Sequence, residues 1–98
     1  MNKDMIEMTV LEQVAPTIRI VAHPLRLRIL DFLAHEGARN VSQIVEVCGV
    51  EQAVVSQQLR ILKDQGILAN RRCGNFVFYE LKDRSALYLL DCIRTHMS

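Results

Sequence analysis

VSQIVEVCGVEQAVVSQQLRILKDQ, Val41 to Gln65, holds two short helical patterns separated by a glycine. In the first, Val41, Ile44, Val45 and Cys48 line one apolar side, and Asn40 with Gln43 three residues on forms a variant of the capping box. Gly49 breaks that pattern, and a second begins a few residues later with Val55, Leu59 and Leu62 as its buried stripe. Two short helices joined by a glycine-containing turn make a candidate helix-turn-helix over residues 41–65. The second helix keeps Gln52, Ser56, Arg60 and Lys63 on its other side. Small and amide side chains followed by cations form a face able to reach base edges and phosphates.

Upstream, Leu25, Ile29, Phe32 and Leu33 fall on one face of a helix from Pro24 to His35, with Arg28, Asp31 and His35 on another, and Gly37 ends it. His23, before Pro24, marks its start. Further back, Met5, Met8, Leu11 and Val14 or Ala15 recur at helical spacing from Asp4, and Pro16 suits the first turn of a separate short helix, so residues 1–22 read as two helices. Downstream, Gly66 closes the helix-turn-helix. Ile67 to Arg72 and Phe76 to Leu81 are strand-like runs joined through Gly74-Asn75, a β-hairpin over residues 67–81. Residues 84–97 carry Ala86, Leu89, Leu90, Ile93 and Met97, a wide apolar stripe suited to packing on a partner.

Composition bounds these readings. The chain has 98 residues, half of them apolar and 23% charged, enough for a single globular domain over 1–98 and too few for a multidomain enzyme. A chain this short without disulfides often gains stability by oligomerising. Twelve Lys and Arg against eleven Asp and Glu leave a net charge of +1, so a nucleic-acid surface has to come from local clustering. It does cluster: Gln52 to Asn75 holds four cations against the single acid Asp64. No apolar run is long enough to span a bilayer, the first residues are acidic, and three cysteines at irregular spacing fit a reducing compartment, so the expectation is a cytoplasmic protein with free thiols and no membrane partner. There is no Gly-rich phosphate loop and no convergent catalytic set, so the expectation is also of no enzyme and no cofactor.

The order helix, helix-turn-helix, hairpin, helix is that of a winged helix, mainly α with a small hairpin. Its wording resembles the ArsR/SmtB family of bacterial dimeric transcriptional repressors. The resemblance is carried by His23-Pro24-Leu25-Arg26-Leu27-Arg28-Ile29-Leu30, by Val54-Val55-Ser56-Gln57-Gln58-Leu59-Arg60-Ile61-Leu62-Lys63, and by Gly66-Ile67-Leu68 leading into Arg71-Arg72-Cys73-Gly74-Asn75-Phe76. It implies a homodimer joined through the N- and C-terminal helices, with double-stranded DNA as partner and an inverted-repeat operator read in successive major grooves. By position in the motif, Gln52, Ala53, Ser56 and Gln57 fall on bases, Arg60, Lys63, Arg71 and Arg72 on phosphates, and Asn75 at the tip of the wing. Glu51 stands where the family usually has a capping serine, which weakens or re-aims contacts there. A rival reading from another class is a winged-helix module that uses the same helix to bind a protein.

The resemblance also poses the question of what releases the protein from DNA. The family's Cys-x-Cys pair before the recognition helix is absent, and its terminal-helix metal pattern is matched only by Asp83 and His96, with Ser85 in place of a histidine. No metal site is expected, although Cys92 and His96, four apart, could meet their copies across a two-fold. Cys48 reads as core. Cys73, between Arg72 and Gly74, is a candidate redox thiol because two adjacent guanidinium groups would favour its thiolate. Release by an inducer or by thiol modification is the expected mode.

Overall fold

The computed structural model describes residues 5–97, in the order α1 (Met8–Val21), α2 (Pro24–Glu36), β1 (Arg39–Asn40), α3 (Val41–Cys48), α4 (Gln52–Asp64), β2 (Leu68–Cys73), β3 (Phe76–Leu81) and α5 (Arg84–Met97). Residues 1–4 of the expected N-terminal dimerisation segment, and Ser98, lie outside the described residues. Helix-turn-helix, hairpin and terminal helix follow one another in the expected order.

Two capping arrangements fix where the central helices start. Asn40 Oδ1 accepts the Gln43 N–H and Gln43 Oε1 accepts the Asn40 N–H, both at 2.9 Å, so the capping box of α3 is closed in both directions. His23 Nδ1 accepts the Leu25 N–H at 3.2 Å and begins α2, with Pro24 in the first turn where its missing N–H costs nothing. Between α3 and α4, Gly49 sits at φ 68°, a left-handed conformation that strains any residue with a Cβ, and this reverses the chain within three residues.

The stripe Val55, Leu59 and Leu62 of α4 is fully buried. It meets Ile29, Leu30 and Leu33 of α2, Ile44 of α3, Ile67 and Leu68 at the start of the hairpin, Ala86 and Leu90 of α5 and Val21 of α1. Cys48 is half-buried against this core, as its place on the apolar side of α3 demands. Burial raises its thiol pKa, partly offset by the nearby Arg28 guanidinium.

The N-terminal region departs from expectation: it is one continuous helix, with Pro16 inside α1. Proline removes the bond to the Glu12 carbonyl and crowds it. Glu12, Gln13 and Ala15 are exposed, so the freed carbonyl can be hydrated, and the following turn is tied to α5 by the Thr17 hydroxyl donating to Asp83 Oδ2 at 3.1 Å. A third strand was also missed. β1 pairs antiparallel with β3 (Arg39 with Tyr79, Asn40 with Phe78), giving the order β1-β3-β2. Two residues are too few to carry a period-2 pattern.

Val21 and Ile20 at the end of α1 pack on the core, but other large apolar residues of this helix stay open among the described residues: Met8 is 66% exposed, and Val10, Leu11 and Ile18 are open too. At the other end Tyr88, Ile93 and Met97 of α5 are likewise exposed. The radius of gyration, 14.8 Å, exceeds the roughly 13 Å of a compact chain of this length.

Candidate nucleic-acid interface

With Val55, Leu59 and Leu62 turned inward, the helical repeat turns Gln52, Ala53, Gln57, Arg60 and Lys63 out to solvent and leaves Ser56 half-buried. Glu51 precedes the helix without a side-chain cap bond, so the first N–H groups of α4 have no carboxylate folded over them. Gln58 is withheld from this surface: it is half-buried and its Oε1 accepts the Arg26 Nε–H at 2.7 Å.

The hairpin register decides what the wing presents. Opposite residues share a face, so Leu68, Asn70 and Arg72 lie with Leu81, Tyr79 and Val77, while Ala69, Arg71 and Cys73 lie with Glu80, Phe78 and Phe76. Leu68 is buried and Tyr79 and Leu81 pack on the core, so Arg72 is on the face turned toward the body. Val77, its cross-strand partner, lines a cleft of about 300 Å³ with Gln52 and Ser56 of α4, Ser42 of α3 and Asn75 and Phe76 at the wing tip. α4 and the hairpin thus meet in one cleft, and beside the residues expected from sequence it is lined by Ser42 and Phe76. Nothing in their own spacing marked them, because their place depends on how the hairpin folds back.

The tip is a two-residue turn with Gly74 at φ 62° and Asn75 at negative φ, the pattern of a type II′ turn. Arg71, on the outer face, is held by Glu80 at 3.2 Å. Among the described residues, Arg60, Lys63 and Arg72 form no ion pair with a carboxylate. The register also corrects the expectation for Cys73. It is exposed, but the pleat sends Arg72 to the other face, and Arg71, which shares its face, is engaged by Glu80. The two-guanidinium environment is not formed.

Asp83, one of the two residues matching the terminal-helix metal pattern, has a structural task. Its Oδ1 accepts the Ser85 N–H at 2.8 Å at the start of α5, and its Oδ2 accepts the Thr17 hydroxyl. With that carboxylate engaged at both oxygens and Ser85 in place of a histidine, these residues do not fit the usual four-donor site. Cys92 and His96 are both exposed, on α5. Among the described residues of one chain, no three of His, Cys, Asp and Glu converge as metal donors, and no helix is long and apolar enough to cross a membrane.

Comparison with known proteins agrees with this geometry. Residues 21–71 match the family model of a helix-turn-helix domain. The HTH-type transcriptional regulator NmtR of Mycobacterium tuberculosis is 40% identical over 79 residues, which are 81% of this chain and 65% of the regulator, so the chain spans just under two thirds of that relative's length. The crystal structure of AntR, an antimony-specific transcriptional repressor, superposes with a TM-score of 0.84 at 31% identity, covering 96% of this chain and 85% of that one. The homodimeric winged helix-turn-helix DNA-binding domain Mb0332 of Mycobacterium bovis, described as a possible ArsR-family regulator, gives a TM-score of 0.73 at 30% identity, over 92% of this chain and 86% of that one.

Proposed function

The chain belongs to the ArsR/SmtB family of helix-turn-helix transcriptional regulators, and on that premise we propose that it is a homodimeric, sequence-specific DNA-binding repressor working in the cytoplasm. The observation that carries the proposal is the convergence of α4 and the wing on one cleft, with Gln52, Ser56 and Asn75 along it, together with exposed Arg60 and Lys63 on α4 and Arg72 on the wing. In this reading Gln52, Ala53, Ser56 and Gln57 face base edges in the major groove, where a glutamine pairs with adenine through both amide groups. Arg60, Lys63 and Arg72 anchor phosphates, Asn75 meets the backbone at the wing tip, and Arg71 contributes once it exchanges Glu80 for a phosphate.

The uncovered apolar residues of α1 and α5 supply the dimer contact, as the homodimeric state of the mycobacterial neighbour supports. A two-fold across these helices sets two α4 copies about one helical turn apart on an inverted repeat. Release follows when an inducer or a thiol modification favours a dimer whose α4 spacing no longer matches the operator, for which a coupling of about 1–3 kcal/mol suffices.

The test is a binding titration of the reduced, metal-free protein with DNA from upstream of its own gene against a shuffled fragment of equal length. The proposal expects preference for the native fragment that weakens steeply with salt. Equal, salt-insensitive binding to both would move the surface to the protein-docking reading.

A further inference from the structure

Arg26, in the first turn of α2, is the one side chain among the described residues that bonds both to α1 and to α4. Its Nε donates to Gln58 Oε1 in the middle of the recognition helix at 2.7 Å, and its Nη1 donates to the Ile20 carbonyl in the last turn of α1 at 2.8 Å. Both bonds are partly buried, and Arg26 and Gln58 are themselves half-buried. The Ile20 carbonyl is one of the C-terminal carbonyls that α1 cannot satisfy internally, so the guanidinium fills a place the helix leaves open. A planar guanidinium with fixed N–H directions holds two acceptors in a set relation, which an ammonium does not.

We infer that Arg26 is a positioning residue that fixes the rotation of the recognition helix relative to the dimerisation helix, and thereby sets the half-site spacing the dimer accepts. The inference rests on the homodimeric DNA-binding reading and adds to it. Successive side chains on a helix are about 100° apart, so holding Gln58 inward aims its neighbour Gln57 outward. Because α1 lies at the two-fold in that reading, an error in the α1–α4 relation is doubled in the distance and twist between the two copies of α4. The bond from Arg26 to Gln58 acts on direction, and no phosphate or base contact is assigned to either residue.

The experiment uses the full chain and a family of duplexes carrying the inverted repeat that the wild-type protein selects from a randomised pool, with the centre of the repeat lengthened or shortened by one or two base pairs. Wild type should bind with a sharp optimum, losing about tenfold per base pair away from it. Arg26→Met, which keeps the stem and removes the donors, should flatten that profile while the dependence on salt stays that of wild type. Gln58→Met should flatten it alike, and Gln58→Glu, which keeps the acceptor, should retain the optimum. A role in stability alone would lower affinity equally at every spacing and leave the optimum sharp, and that result in both Met variants overturns the inference. If Arg26→Met does not fold, the Gln58 pair decides. A wild-type protein that selects no repeat refutes the DNA-binding reading itself, an outcome distinct from failure of the Arg26 assignment.

Discussion

Replacing Arg72 by alanine removes one cation from the inner face of each wing and leaves the core-facing half of the hairpin, Leu68 with Leu81 and Asn70 with Tyr79, untouched. Each phosphate neutralised by a protein cation contributes about −0.9 to the slope of log K against log salt concentration. The exposed cations of α4 and the wing not engaged by a carboxylate among the described residues are Arg60, Lys63 and Arg72, so a dimer brings two of each and the expected slope is about −5. Losing both copies of Arg72 should flatten it by about 1.8, which at roughly 0.1 M salt is a loss of about sixty-fold in affinity, or ~2.5 kcal/mol, from counterion release alone. Glu80→Gln should do the reverse. The Arg71–Glu80 pair lies on the surface, with side chains 62% and 49% exposed, and such pairs contribute at most about 1 kcal/mol, so freeing Arg71 costs little stability and steepens the slope by up to about 1.8. Fluorescence anisotropy with a fixed duplex over a series of salt concentrations reads both variants. An unchanged slope in Arg72→Ala would remove the wing from the phosphate contacts, and a flatter slope in Glu80→Gln would refute the account of Arg71.

Three further outcomes follow from particular side chains. Gln57→Ala should lose about 1–3 kcal/mol of discrimination at one base pair in each half-site with no change in salt slope, and a uniform loss over all sequences would exclude base reading by Gln57. Leu59→Ala, at a fully buried position, should cost about 2–5 kcal/mol and lower Tm by at least about 10 °C in a thermal melt, whereas a shift of a degree or two would mean that α4 is not anchored by this stripe. Because burial raises the Cys48 pKa in the folded state, its contribution to stability is complete below the ordinary thiol pKa and is lost as pH rises through the folded value. Urea unfolding of wild type should therefore weaken in alkaline solution more than that of Cys48→Ala, and parallel pH profiles would contradict the burial of this thiol.

Much of the fold was legible because strong periodicity and glycine punctuation coincide: Val55, Leu59 and Leu62 recur at helical spacing, Gly49 and Gly74 take the positive φ their turns require, and Asn40 with Gln43 closes the box their spacing implies. Pro16 misled because proline's local preference for a helix start was outweighed by a helix whose freed carbonyl lies among exposed residues and whose next turn is tied to Asp83. At the site, the exposed face of α4 could be read from the buried one. The wing could not be read so far, since the opposite facing of Arg71 and Arg72 follows from the hairpin register, and the Glu80 partner lies across a strand. Contacts between elements such as Arg26 with Gln58, 32 residues apart, leave no local pattern at all.

The central claim, that α4 and the wing read DNA as a two-fold pair, is tested most directly by letting the reduced wild-type protein select duplexes from a randomised pool. The account predicts enrichment of one inverted repeat whose half-site centres lie about one helical turn apart. A pool that stays random, or one enriched in single half-sites without symmetry, would contradict it.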